Sequence, residues 1–278
     1  MGAVSGGGLT ARAGLANLSR IVECRRLGTD MIRVDILLVE QGLAASRTAA
    51  QNLIAAGRVS CEGAPVSKPS QKFPPHASFA VVADEADRYV SRGGLKMQGA
   101  LAAAELDVAG WTALDVGQST GGFTDCLLQA GARRVVGVDV GHDQLHARMR
   151  EDARVRYFEG VNARALDRAA LLAANEGDGF DLTVCDVSFI SLSLVLPSAL
   201  PLLKPGGRLL SLVKPQFEVG REGLSKGGIV RDETLYPQVK DKINRVLDEQ
   251  AMRVLAWFDS PIKGGDGNHE FFVHAERR

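Results

Sequence analysis

The sequence predicts an α/β protein, a doubly wound Rossmann-like sheet preceded by a small α+β module. Three observations carry that expectation. From Leu95 onward, apolar strand segments alternate with helical stretches, the pattern of a mostly parallel sheet wrapped by helices. A glycine-rich turn, Leu114 to Phe123 (LDVGQSTGGF), follows the first strong strand. An acid, Asp139, closes the next strand about 20 residues later, where a ribose-binding carboxylate belongs in such folds.

The elements follow in order. Residues 1–30 are rich in Gly, Ala and Arg and read as a disordered extension. They hold no continuous apolar stretch of the kind a secretory signal needs. Residues 31–87 read as a compact module. Val34 to Glu40 has apolar residues at helical spacing, and Gly42 is its natural stop. Ser46 can cap a second helix, Arg47 to Ala56, which ends at Gly57. Short strands are expected at Arg58–Cys61 and Ser78–Val82. Arg33, Arg47, Arg58, Lys68 and Lys72 face Asp35, Glu40 and Glu62, so the module is mildly basic.

An acidic break at Asp84–Asp87 leads into the main domain, residues 88–278. Strands are expected at Thr112–Val116, Val135–Val140, Leu182–Asp186, Arg208–Val213, Val254–Phe258 and Phe271–Ala275. A helix is expected over Thr124–Ala130.

Composition narrows the function classes. The chain has 278 residues, 45% hydrophobic and 24% charged, the profile of a soluble globular protein. With aromatics at 5%, long stacking platforms for single-stranded nucleic acid are not expected. The net charge of +0 leaves any nucleic-acid contact to local patches. Cys24, Cys61, Cys126 and Cys185 form no C-x-x-C pair, so neither a metal site nor a disulfide framework is expected. They read as small apolar filler in a reducing cytoplasm. The best apolar run, Ser191 to Leu203, is broken by Pro197 and Pro201 and is too short for a membrane span.

The chemistry is carried by the glycine turn and four charged residues. Gly117, Gly121 and Gly122 allow close backbone approach to a ligand, and the helix starting near Phe123 aims its N-terminus at negative charge. A dinucleotide fingerprint would need glycine where Ser119 stands. An aspartate two residues before the first glycine, Asp115, with Asp139 at the next strand end, suits S-adenosylmethionine. Lys96, Asp186, Lys214 and Glu270 stand in SRGGLK, CDVSF, VKPQFE and GNHEFF, at the edges of strands around that turn. Two lysines and two acids there suit removal of a proton from a weakly acidic hydroxyl and transfer of a group to it. One lysine in its neutral form takes the proton, and the other cation steadies the oxyanion.

These segments resemble a known family. The catalytic half is similar to the FtsJ-like ribose methyltransferases, whose Lys-Asp-Lys-Glu tetrad corresponds to Lys96, Asp186, Lys214 and Glu270. SRGGLK, STGGFTD, VDVG, DVSFISL, VKPQFEVG and GNHEFF resemble more narrowly the TlyA family, which also carries the name haemolysin A. Residues 32–57 resemble the αL RNA-binding module of a small-subunit ribosomal protein. The resemblance implies a class I methyltransferase fold and S-adenosylmethionine-dependent 2′-O-methylation of cytidine in ribosomal RNA, with both subunits as possible substrates. Because the methyl group of such a sulfonium cofactor is already activated, no metal is required. The resemblance places the cofactor on Asp115, Gly117, Ser119, Gly121, Gly122, Phe123 and Asp139, and near Asn162 and Asp186. Arg33, Arg47, Arg58 and Lys68 become candidate phosphate contacts. Gln118, His142, Asp143 and Tyr89 depart from the family pattern.

Two other readings stay open. Gly117-Gln-Ser119-Thr-Gly121 is also a G-x-S-x-G, with Asp186 and His269 following in hydrolase order. The haemolysin name suggests a membrane-active protein, although the sequence offers neither a span nor a strongly amphipathic basic helix.

Overall fold

The computed structural model describes residues 31–44, 46–264 and 267–278. The expected extension over residues 1–30, with Cys24, lies outside the described residues. The chain divides into two compact units at Ala83 and Asp84.

The first unit begins with β1 (Ile32–Arg33) and runs into α1 (Val34–Glu40). Val34, Leu37 and Leu38 line one face of α1 and are buried. Gly42 takes a positive φ just past its end. Helix α2 (Arg47–Ala55) is capped by Ser46, whose side chain accepts from the Ala49 amide at 3.2 Å. The chain then forms β2 (Val59–Cys61), β3 (Ala64–Pro65), β4 (Lys72–Phe73) and β5 (Phe79–Val81). Strands β3, β2 and β5 make an antiparallel sheet, while β4 pairs with β1. The two helices and the sheet share a core of Val34, Leu37, Leu38, Ala50, Ile54, Val59, Val66 and Phe79.

The second unit is built on seven strands: β6 (Thr112–Val116), β7 (Arg134–Val138), β8 (Val155–Phe158), β9 (Phe180–Cys185), β10 (Leu203–Val213), β11 (Met252–Asp259) and β12 (Phe271–Arg277). Their order is β11-β12-β10-β9-β6-β7-β8. The pairs from β10 through β8 are parallel, and β12 runs antiparallel between β10 and β11. Helices α3 (Gly93–Ala103), α4 (Gly122–Gln129), α5 (Ala147–Arg150), α6 (Arg168–Ala174), α7 (Leu196–Ala199) and α8 (Tyr236–Glu249) complete it.

Successive strand residues feed opposite cores. Leu209 and Val213 join a cluster with α7 and α8, whereas Leu210 and Leu212 join a cluster with α3 and α4. Burial on both faces explains why these strands read as unbroken apolar runs. Two of the elements for which no range was expected show why. Strand β8 lies at the sheet edge with Arg156 and Tyr157 exposed, so its alternation is masked. Helix α3 begins with two glycines, and only its tertiary packing through Met97, Ala100 and Leu101 makes it helical. Strands β7 and β9 end one residue before Asp139 and Asp186, which places both acids in loops rather than in the expected strands.

Candidate active site

Strand order reverses between β6 and β9, and ligands in such sheets bind where the loops after those strands part. Here the two loops touch through backbone. Gly117 follows β6 at φ +85°, and a Cβ there would lie 2.4 Å from the Asp186 carbonyl oxygen. The Asp186 amide donates to the Val116 carbonyl at 3.0 Å. Gly121, at φ +91°, caps α4, which Gly122 opens. A Cβ on Gly121 would press on Leu145 and Met149.

Two cavities flank this junction. The larger, about 630 Å³, is walled by Val140, Val161 and Ile190, with Asp139 and Asn162 as polar points. The smaller, about 320 Å³, holds Lys96, Lys214 and Phe123, with Arg92 and Lys263. Gly117, Ser119, Asp186 and Ser188 border both.

In the larger cavity Asp139 is fixed by two backbone amides. Ser119 donates to Oδ2 and Gly141 to Oδ1, each at 2.7 Å. Each carboxylate oxygen keeps a lone pair for a further donor, such as a hydroxyl. Asn162 accepts from the Arg164 amide at 3.0 Å.

Asp115 is not on either cavity wall. It is fully buried beneath the turn, and its Oδ2 accepts from the Thr124 hydroxyl at 2.7 Å. Burial pushes its pKa up to about 7, and the charges of Asp186 and Asp139 add to that rise. Gln118 completes the chain by donating to Thr124 Oγ1 at 2.8 Å. Its side chain occupies the space over Gly137, where a Cβ would come within 2.0 Å of it. The unusual glutamine of the turn is therefore an interior residue. Tyr89 is also seated inside, its ring against Gly94.

A pH test follows from Asp115. A carboxyl whose folded pKa is raised favours folding below its unfolded pKa and loses that contribution as pH rises to the folded value. In the wild type this loss spans pH 4 to about 7. Asp115→Asn should therefore gain on the wild type in denaturant unfolding by a few kcal/mol between pH 4 and pH 8. A stability difference that stays constant across that range would refute the assignment.

The four charged residues form two ion pairs. Lys96, on α3, lies 2.5 Å from Glu270 Oε2, and both side chains are buried. Lys214, just after β10, lies 2.5 Å from Asp186 and donates to Ser188 Oγ at 2.9 Å. Burial raises the pKa of Glu270 and Lys96 opposes the rise; the charges of Lys214 and Asp186 also reach it. Lys96, Lys214 and Asp186 all line the smaller cavity. Ser188 was not singled out from sequence, although it stands two residues after Asp186. Lys263 carried no signal, being far from every glycine-turn motif.

In the first unit, Arg33 and Arg47 are drawn together by Asp35, at 2.9 and 3.1 Å. Asp35 is fully buried, and the Arg33 guanidinium holds its pKa well below the usual carboxylate range. Strand pairing sets Lys72 opposite Arg33, which adds a cation that was not among the expected contacts. Arg58 is held elsewhere, donating to the Val82 carbonyl at 2.8 Å, and Lys68 is exposed in the loop after β3.

The hydrolase triad does not assemble. Ser119 bonds Gln144 at 3.2 Å, and His269 pairs with Asp259 at 3.0 Å while stacking on Phe271. Asp186 is engaged by Lys214. Cys126 and Cys185 are buried, and burial pushes their thiols up to about 11 and about 12, in keeping with inert filler. Among the described residues no His, Cys, Asp and Glu cluster could hold a metal, and no helix is long and apolar enough to cross a membrane.

Known proteins resemble this chain over most of its length. The FtsJ-like methyltransferase family matches residues 89–277, and the S4 domain matches residues 32–77. The chain is 42% identical to the 16S/23S rRNA (cytidine-2′-O)-methyltransferase TlyA of Mycobacterium tuberculosis, over 87% of this chain and 88% of that protein. It is 36% identical to Hemolysin A of Brachyspira hyodysenteriae, over 87% of this chain and 99% of that one. A solved structure from Streptococcus thermophilus, described as a hemolysin, superposes with a TM-score of 0.69 at 39% identity, covering 90% of both chains.

Proposed function

The chain belongs to the FtsJ-like methyltransferase family, in its TlyA branch, and on that premise we propose that it methylates the 2′-hydroxyl of cytidine in ribosomal RNA, using S-adenosylmethionine. The observation that carries this reading is the pairing of Lys96 with Glu270 and of Lys214 with Asp186, with Lys96, Lys214 and Asp186 lining a cavity that adjoins a larger one suited to an adenosine.

The larger cavity fits the cofactor chemically. Asp139 would accept from ribose hydroxyls, Asn162 would offer a polar contact, and Val140, Val161 and Ile190 would cover an adenine ring. Gly117 leaves room for backbone contact beside Asp186. Once bound, the cofactor supplies an already activated methyl group. The remaining work falls to this chain's residues. A ribose hydroxyl entering the smaller cavity meets both lysines. One amine takes its proton as the oxygen accepts the methyl, and the second ammonium steadies the developing charge. Glu270 and Asp186 orient the two amines. Phe189, 92% exposed beside Asp186 and Ser188, offers a stacking face for a nucleotide drawn out of its helix. The cytidine specificity and the choice of ribosomal subunit rest on the likeness to the TlyA proteins. The relatives' substrates also favour a cytoplasmic site of action.

The S4 unit would dock by phosphate contacts through Arg33, Arg47 and Lys72, with Arg58 and Lys68 as further candidates. Arg47→Gln combined with Lys72→Gln should lower RNA affinity and reduce the salt slope of binding by about 2, one for each phosphate left without its cation. Cofactor affinity should not change. An unaltered slope would remove these residues from the interface.

The deciding experiment is methyl transfer from labelled cofactor to each isolated ribosomal subunit and to naked rRNA, with nucleoside digestion of the product. A 2′-O-methylcytidine that disappears with Lys214→Ala supports reaction, cofactor and site together. Transfer to a base nitrogen, or to no RNA at all, overturns the reading.

A further inference from the structure

We infer that Glu218 is a positioning residue whose carboxylate clamps the loop carrying Asp186, Ser188 and Phe189, and so sets the wall shared by the two cavities. This deepens the reading above and rests on it for its catalytic meaning.

Glu218 follows the short turn after Lys214, and its side chain is 1% exposed. One oxygen accepts from the Leu192 amide at 2.6 Å. The other accepts from the Ser191 hydroxyl at 2.6 Å and from Lys242 Nζ at 2.7 Å. Lys242, on α8, also donates to Ser191 Oγ at 3.1 Å. Ser191 in turn caps the short turn Leu192–Leu194 by accepting from the Ser193 amide. One buried carboxylate therefore ties together the loop after β9, the loop after β10 that begins with Lys214, and helix α8.

None of Glu218, Ser191 and Lys242 lines either cavity. They reach the cavity wall from outside: Ser191 and Leu192 directly follow residues 186–190, and Glu218 follows the turn after Lys214. That segment is under local strain. Phe189 has φ +63°, its side chain almost wholly exposed, with Phe217 as its ring neighbour at 5.3 Å. A non-glycine residue stays in the left-handed region only where its surroundings over-determine it. The clamp begins two residues after Phe189 and supplies that constraint. It also fixes Asp186 and Ser188, the two groups that hold Lys214.

The test uses the full chain as Glu218→Ala, the double variant Glu218→Gln/Lys242→Met, and Ser191→Ala. Amide hydrogen exchange over residues 186–192, the S-adenosylmethionine dissociation constant and the single-turnover rate are read at a temperature below unfolding. For Glu218→Ala, exchange in that segment should rise about tenfold or more while the sheet is unchanged. Cofactor affinity should fall about tenfold and the rate about 30-fold, as loss of charged hydrogen bonds and misplacement of the lysine partners require. In the double variant, Gln can still accept from Leu192 and donate to Ser191, and no unpaired ammonium is left. It should return to within about threefold of the wild type. Unchanged exchange and cofactor affinity in folded Glu218→Ala would overturn the clamp, as would a double variant no better than the single one. Should Glu218→Ala fail to fold, Ser191→Ala decides through the same exchange readout, with about a fivefold rise expected and no rise refuting. Exchange needs neither RNA nor methyl transfer, so an enzyme inactive on every RNA would defeat the functional reading without touching this result.

Discussion

Lys214→Ala is expected to lower single-turnover methyl transfer to rRNA by about 10³-fold or more, while S-adenosylmethionine affinity changes by less than about threefold. The asymmetry comes from where Lys214 stands. It lines the smaller cavity and not the larger one. Its removal takes away a proton acceptor or a cation at the attacking oxygen, whichever of the two roles it fills. Asp186 would lose its ion-pair partner and Ser188 its donor. Lys214→Arg separates those roles, because a guanidinium keeps the charge but does not give up its proton at any working pH. A rate close to wild type in Lys214→Arg would assign Lys214 to charge stabilisation and leave Lys96 as the base. A rate for Lys214→Ala within tenfold of wild type would dismiss the two-lysine mechanism.

Gly117→Ala carries the second large effect, and it should weaken cofactor binding as well as transfer. A methyl group at this position meets two penalties. The φ of +85° is left-handed, which costs an L-residue about 1–2 kcal/mol. The larger obstacle is the Asp186 carbonyl, 2.4 Å from the new Cβ and part of the backbone rather than a movable side-chain tip. Relief requires the loops after β6 and β9 to part, which spoils the wall of both cavities and the Asp186–Lys214 pair together. Cofactor affinity is therefore expected to fall at least about 100-fold, a loss of about 2.8 kcal/mol of binding. Gly110→Ala separates strain from close approach. Gly110 has φ +77° with nothing within 4 Å of its would-be Cβ, so the same substitution there should lower stability by about 1–2 kcal/mol and leave cofactor affinity intact. Equal cofactor affinities in the two variants would show that conformational strain alone governs Gly117.

Much of the architecture was legible from local signals. Helix α1 follows the expected bounds because Val34, Leu37 and Leu38 repeat at helical spacing and Gly42 stops the chain. Strand β6 matches because five consecutive buried residues leave no ambiguity of face. Ser46 caps α2 as its residue type foretells. Helix α3 was not legible, since its two opening glycines disfavour a helix and only packing against α4 offsets them. Lys72 joined Arg33 through strand register, a relation between residues that no local pattern expresses.

The candidate site divides in the same way. Asp139, Lys96, Asp186, Lys214 and Glu270 could be proposed from their motifs, and the fold brings all of them to one junction. Asp115, expected at the cofactor, and His269, which stood only in the hydrolase reading, lie on neither cavity wall. Asp115 sank beneath the turn, and His269 turned to Asp259.

By itself, then, the sequence determined the class of fold, the two helices of the first unit, most strands of the large sheet, and the short motifs where charge meets the ligand edge. Those features depend on apolar periodicity, caps and glycines acting over a few neighbouring residues. Only the tertiary structure decided the partners: Lys96 with Glu270, 174 residues apart, and Glu218 with Ser191 and Lys242. The reason is physical. A buried charge takes the partner that strand order and register bring within reach, and in this sheet β12 inserts beside β10 rather than following β11 at the edge.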